Sequence, residues 1–246
     1  MARIEEFADL DLAEPVLVEG LPGVGLVGKL AADHLVDEFD MTEFAACHCE
    51  GLPDVAVYRE GDRAVKAPVR IYADEQRDLL VLQSDVPVSP SAATDFAGCV
   101  TGWLAEHGAT PVYISGLPAD GEAEGDPDLY GVGTGAGAAL LDEHDIPRPG
   151  ESGLVSGPTG ALLAEASEQG VDGVGVVVEA DQGFPDPVAA RVVLTGAVEP
   201  LAGIEVDTDR LVEQADRVAA AREKLAERMQ QAEEESTRAQ PLGMYQ

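Results

Sequence analysis

Basic residues are scarce in this chain: 15 lysines and arginines face 47 aspartates and glutamates, a formal charge of −32 over 246 residues. Lysine occurs only as Lys29, Lys66 and Lys224. Recognition of a nucleic-acid backbone needs clustered cations, and none is present, so no nucleic-acid partner is expected. Cysteine is as sparse. Cys47 and Cys49 bracket His48 while Cys99 stands apart, an odd count whose spacings match no zinc signature. The three read as buried or incidental thiols, and no metal is expected. His34, His48, His107 and His144 accompany no serine or cysteine elbow, so no nucleophile–base pair and no catalytic residue can be nominated. No apolar run approaches the roughly 18 residues of a membrane span, and the opening MARIEEFADLDLAEP has neither an apolar signal core nor a basic flank. These absences predict a cytoplasmic protein without a membrane partner. Aromatic residues make up 4% of the chain and its acids are scattered along the whole length. That pattern suits a protein kept soluble in a high-salt cytoplasm, where repulsion between surface charges is screened over about 3 Å at 1 M.

The length is enough to bury a sizeable core and fits one domain with an extension. Residues 15–20 (PVLVEG) form an apolar run ending in glycine, followed by helical spacing from about Leu26 to Val36, which predicts a strand, a tight loop and a helix. Short apolar runs predict strands at Ala45–Cys49, Val55–Tyr58, Val69–Tyr72, Leu79–Leu82, Val112–Ser115, Gly153–Ser156 and Val174–Glu179. Gly61-Asp62 supplies a turn between the middle ones. Helices are expected over Ser91–Glu106, Ala138–Glu143, Gly160–Glu168 and Pro187–Thr195, and a long surface loop over Gly116–Gly137, which is dense in Gly, Asp, Glu and Pro. Alternation of this kind predicts an α/β sandwich around a mixed, mostly parallel sheet. From Asp207 the composition changes. Leu211, Ala215, Val218, Arg222, Leu225, Met229 and Ala232 follow steps of four and three, a heptad seam interrupted at Arg222 that either packs on its own domain or pairs with a neighbour. The expected organisation is an α/β domain over 1–206, a heptad helix over 207–235 and a flexible tail over 236–246.

Two strand-to-helix turns carry glycine. Gly23-x-Gly25-x-x-Gly28 has the context of a dinucleotide fingerprint, with Glu50 near the end of the next strand to meet a ribose. The same residues through Lys29 spell most of a phosphate-binding loop, but Leu30 stands where Ser or Thr would hold magnesium, so triphosphate hydrolysis is not expected. The competing reading is that the glycines permit close packing. Ser156-Gly157-Pro158-Thr159-Gly160 places backbone amides and two hydroxyls at a helix start, able to hold an anion or simply to cap. Ser115-Gly116 and Gln83-Ser84-Asp85 end strands where α/β ligands bind. No cofactor is expected at any of these places.

Glu19-Gly20-Leu21-Pro22-Gly23-Val24-Gly25-Leu26-Val27-Gly28 resembles the N-terminal signature of the PAC2 family, archaeal relatives of proteasome assembly chaperones. The segment from Ser156 to Leu163, the strand from Gly170 to Glu179, and Pro185-Asp186-Pro187-x-Ala189-Ala190 resemble its C-terminal half, so the likeness runs from about residue 14 to 215. With the acidic composition, it points to a haloarchaeal member. The resemblance implies a phosphorylase-like αβα sandwich, a homo-oligomer, and an ATP-independent, non-catalytic role on 20S proteasome α-subunits. It also gives meaning to the ending Met244-Tyr245-Gln246, similar to the tails that enter pockets between α-ring subunits. An apolar side chain, a phenol and a terminal carboxylate are the parts that such capture needs. The alternative that the residues leave open is a small-molecule enzyme of the same fold, with the loops at Gly23–Gly28 and Ser156–Gly160 enclosing a nucleoside or anion.

Overall fold

The computed structural model describes residues 3–61, 63–119 and 125–221. Its centre is an eight-stranded sheet of order β1-β3-β4-β5-β2-β6-β8-β7. The strands are β1 (Arg3–Glu6), β2 (Val16–Gly20), β3 (Thr42–His48), β4 (Val69–Asp74), β5 (Leu79–Ser84), β6 (Thr110–Pro118), β7 (Leu129–Thr134) and β8 (Gly173–Ala180). The middle neighbours β5, β2, β6 and β8 are parallel, whereas β4 against β5, β3 against β4, β1 against β3 and β7 against β8 are antiparallel. Parallel strands need covering on both faces, and the middle strands are apolar on both. Alternate residues therefore serve different cores. Val18, Val81, Val112 and Val176 enter one, with α1 (Val27–Glu38) and α5 (Pro187–Val193) above them. Leu17, Leu80, Leu82 and Tyr113 enter the other, beneath α2 (Ala93–His107) and α4 (Gly157–Gln169). The result is the three-layer α/β sandwich read from the alternation of elements. Short helices α3 (Gly137–Glu143) and α6 (Glu199–Ala202) complete it, with a π-helical turn over Leu194–Val198 joining α5 to α6.

Three expectations are corrected. Val55–Tyr58 is no strand: only Val57 pairs, with Lys66, as an isolated bridge, and Tyr58 is exposed. Gly153–Ser156 runs without ladder partners and leaves Leu154 87% exposed. Within the presumed loop Gly116–Gly137, β6 continues to Pro118 and Leu129–Thr134 forms the edge strand β7. Glycine is depleted from strands, which is why LYGVGT reads as loop. Here α3 lies so close over β7 that a Cβ at Gly133 would stand 2.2 Å from the Ala138 nitrogen, and one at Gly131 2.4 Å from a methyl of Leu141. β1 had no counterpart in the sequence reading. It is held by ladder bonds to β3 and by Glu6, which accepts from Trp103 Nε1 at 2.7 Å.

Residues 209–221 are helical. The first seam position, Leu211, is 1% exposed in the core of its own domain, and Ala215 and Val218 are half-buried. The approach to this helix is tied down by His34 Nε2, 2.7 Å from the Asp207 carbonyl oxygen, and by Glu199, which accepts from the Val206 amide at 2.8 Å. Arg222, Leu225, Met229, Ala232 and the tail 236–246 lie outside the described residues.

Candidate functional site

The two glycine-bearing turns, Gly23–Gly28 and Ser156–Gly160, meet at the C-terminal end of β2, and Glu19 joins them. β2 and β6 pair only as far as Val18 and Val112. Beyond that point the Glu19 carboxylate occupies the parting of the strands. Its Oε2 accepts from the Ile114 amide at 3.0 Å, and its Oε1 accepts from the Leu21 amide at 3.0 Å and the Thr159 hydroxyl at 3.3 Å. One side chain thus stitches β6, the first glycine loop and the first turn of α4. It is fully buried, and burial pushes its carboxyl up to about 7 against the three donors, which favour the charged form. The sequence did carry a signal for Glu19: a single carboxylate at the end of an apolar strand, which has no reason to be there unless donors surround it.

Gly25 lies at φ +62°, in the left-handed region. A Cβ there would stand 2.9 Å from Cβ of Ala180 and 3.1 Å from Cβ of Asp186. The loop is docked on the turn that opens α5: the Asp186 amide donates to the Gly25 carbonyl at 2.8 Å, while the Asp186 side chain caps α5 through the Ala189 amide at 3.0 Å. Gly28 sits where a Cβ would be 3.2 Å from the Glu19 carbonyl oxygen, so α1 packs tightly on β2, and Gly23 faces open space. The next residue after Gly25, Leu26, also has positive φ (+51°) and is partly exposed, an uncommon state for a large apolar side chain.

This geometry removes both nucleotide readings of the first loop. A dinucleotide fold needs a parallel neighbour after the crossover helix. Here α1 leads to β3, which is separated from β2 by β4 and β5, and Glu50 follows β3 away from the glycine loop. Lys29 does not reach over the loop. Its Nζ pairs with Asp33 at 2.9 Å and Asp85 at 3.3 Å. Asp85 also receives the fully buried Arg70 at 2.5 Å, and Gln83 accepts from Arg70 at 2.7 Å, so the polar strand end Gln83-Ser84-Asp85 serves an ion-pair network.

The second turn opens a cleft of about 710 Å³ on the α4 face. Its floor is Ser115–Pro118 of β6, Val132–Thr134 of β7 and Val177 of β8, and its rim is Val24, Glu151–Ser156 and α4 residues Gly160, Leu163 and Ala164. Ser156 occupies the N-cap position of α4 but makes no capping side-chain bond, and Gly157 has φ +69°. Thr159 is directed at Glu19, so the hydroxyl pair is not a capping pair. Gly160 lets the Val155 carbonyl cross, since a Cβ would come within 2.3 Å of that oxygen. The walls are largely apolar and hydroxylic. Among the lining residues Glu151 alone carries charge. The cleft therefore offers an anion only backbone amides and hydroxyls, a weak match to phosphate in a chain of this charge.

Met244, Tyr245 and Gln246 lie outside the described residues. Among those described, no group of three or more His, Cys, Asp or Glu side chains is arranged to hold a metal, and no helix is long and apolar enough to cross a membrane.

Uncharacterized protein MJ1210 of Methanocaldococcus jannaschii is 30% identical over 231 residues, which cover 93% of this chain and 88% of that protein. The crystal structure of Pyrococcus furiosus PbaB, an archaeal proteasome activator, superposes with a TM-score of 0.78 at 27% identity, covering 92% of this chain and 98% of that one. Pyrococcus furiosus PbaA, an archaeal homolog of proteasome-assembly chaperone, gives a TM-score of 0.76 at 23% identity over 94% of this chain and 99% of that one. The PAC2 family matches residues 17–226, and the chain belongs to that family.

Proposed function

We propose that this protein is a non-catalytic, ATP-independent proteasome-binding protein: a cytoplasmic homo-oligomer that docks on 20S α-subunits through Met244-Tyr245-Gln246 and assists ring assembly or occupies the mature ring. The observation that carries the reading is the likeness to PbaB over 92% of this chain and 98% of that one, since the solved relative is a proteasome activator. The described site adds support. Glu19, Gly25, Gly28 and Thr159 are occupied with holding strands, loops and helices together, and the neighbouring cleft has one charged residue and no cation among its lining. A terminal carboxylate paired with a lysine makes a charge-assisted contact, stronger than a neutral hydrogen bond, while the phenol and methionine fill apolar niches. Several tails on one oligomer multiply weak contacts, by something like 10²–10⁴ in affinity when the linker reaches.

One observation favours a second reading, a small-molecule enzyme or binding protein: both glycine turns border a cleft large enough for a nucleoside. The two readings separate in paired experiments at molar salt. Capture of 20S particle by the full chain, lost when residues 236–246 are removed, supports the proposal. Capture that survives the truncation moves recognition to the folded domain. Calorimetric binding of nucleosides or phosphate in the micromolar range, without capture of the particle, favours the enzyme.

A further inference from the structure

The three cysteines, read from the sequence as buried or incidental thiols, are gathered in one place, Cys47 and Cys49 buried and Cys99 partly so. Strand β3 and helix α2 run past each other in opposite directions. At one end Phe44 meets Trp103, ring centroids 6.2 Å apart, and at the other Gly51 lies against Ala92, where an added Cβ would approach to 2.4 Å. Cys47 and Cys49 lie between Phe44 and Gly51, and Cys99 lies between Ala92 and Trp103, so the contact at each end sets the thiols of the strand along the stretch of helix that carries Cys99. Residues two apart on a strand share a face. Cys47 and Cys49 accordingly both enter the core beneath α2, against which Cys99 packs, and His48 between them points outward. Cys99 is only half-buried, and Cys47 and Cys49 both line a second cleft of about 460 Å³ bounded by residues 47–55, Ala67 and Pro68. Cys47 lies deeper, with burial raising its thiol and Cys99 close enough to add to the shift. Cys49 and Cys99 lie close enough to perturb each other, the interaction lowering the Cys99 thiol and raising that of Cys49. The metal alternative has no support, since these side chains form no group of the kind that holds an ion.

We propose that Cys49 and Cys99 are a reversible thiol–disulfide pair that couples the end of β3 to α2, taking a low-molecular-weight disulfide as oxidant. Cys99 is the attacking group: its thiolate displaces one thiolate from the oxidant and forms a mixed disulfide. Cys49, deprotonated in turn, attacks the Cys99 sulfur and expels the second thiolate. Two thiols of the protein are oxidised, one disulfide is reduced to two thiols, and the two protons go to the released thiolates or to water. The bond closes a loop of the chain that contains β4, β5 and the ion pair of Arg70 with Asp85. It thereby links the redox state to the stability of the half of the sheet that bears the antiparallel flank.

The test is peptide mapping of the full-length protein after incubation with glutathione disulfide at molar salt, free thiols being alkylated before digestion. The expected product is a peptide pair joined through Cys49 and Cys99, lighter by two hydrogens, reversed by dithiothreitol. It should persist in Cys47→Ala and be lost in Cys99→Ala, and thermal melting should rise by several degrees on oxidation in the wild type and in Cys47→Ala alone. Glutathione retained on Cys99 as a mixed disulfide would overturn the pairing, as would a bond through Cys47 or three thiols left fully alkylated. The mapping is read on the wild-type chain, so the result does not depend on any variant folding.

Discussion

Glu19 and Gly25 show how single residues fix the junction of the two loops. The folded pKa of Glu19, about 7, lies above its ordinary value of 4.5 because burial outweighs its three donors. Between those values the folded state holds the proton that the unfolded chain releases, so this group's contribution to stability falls as pH rises from about 4.5 to about 7 and is level above. The change is roughly 3 kcal/mol at 1.36 kcal/mol for each unit. Glu19→Gln removes the titration. In denaturant unfolding at pH 5 and pH 8, the stability of the variant relative to the parent should shift in the variant's favour as pH rises; an unchanged difference would mean that Glu19 is not held protonated. Gly25→Ala places a Cβ at positive φ against Ala180 and Asp186. It should lower stability by about 1 kcal/mol or more, with no nucleotide involved. Micromolar binding of ATP or NAD by the parent chain would remove the packing explanation.

Among the elements, those built on periodic apolar pattern were legible. β2, β4, β5 and β8 fall within two residues of their apolar runs, and α1, α2 and α4 on their helical spacing. What was not legible had its cause elsewhere in the chain. β7 is glycine-rich because α3 presses on it, and nothing within LYGVGT records that neighbour. The apolar segment Gly153–Ser156 looked like a strand, yet it borders the cleft without a ladder partner. The fingerprint Gly23–Gly28 was found in its expected strand-to-helix context, but only the sheet order, with β3 two strands removed from β2, shows that no ribose acceptor follows it. Gly133→Ala tests the account of β7. The added methyl cannot avoid the Ala138 backbone, so α3 must shift, at a cost of about 1–3 kcal/mol. Melting should fall, whereas the neighbouring Val132→Ile, whose side chain lines the open cleft, should be near neutral.

For the whole molecule, charge bears on the proposed oligomer. With a formal charge of −32, copies repel unless salt screens them, so association belongs to high ionic strength. Light scattering at molar salt should give a closed homo-oligomer that loosens on dialysis to low salt, and a stable monomer at molar salt would remove the multivalent mechanism. Met244-Tyr245-Gln246, the proposed docking element, stands outside the described residues. Leu211, near the start of the helical residues 209–221, is buried in its own domain. The most direct measurement is therefore the affinity of immobilised 20S particle for the parent chain, Tyr245→Ala and a chain lacking Gln246, at molar salt. The account predicts at least a tenfold loss for both variants with melting temperature and oligomer size unchanged; equal affinity for all three chains would contradict it.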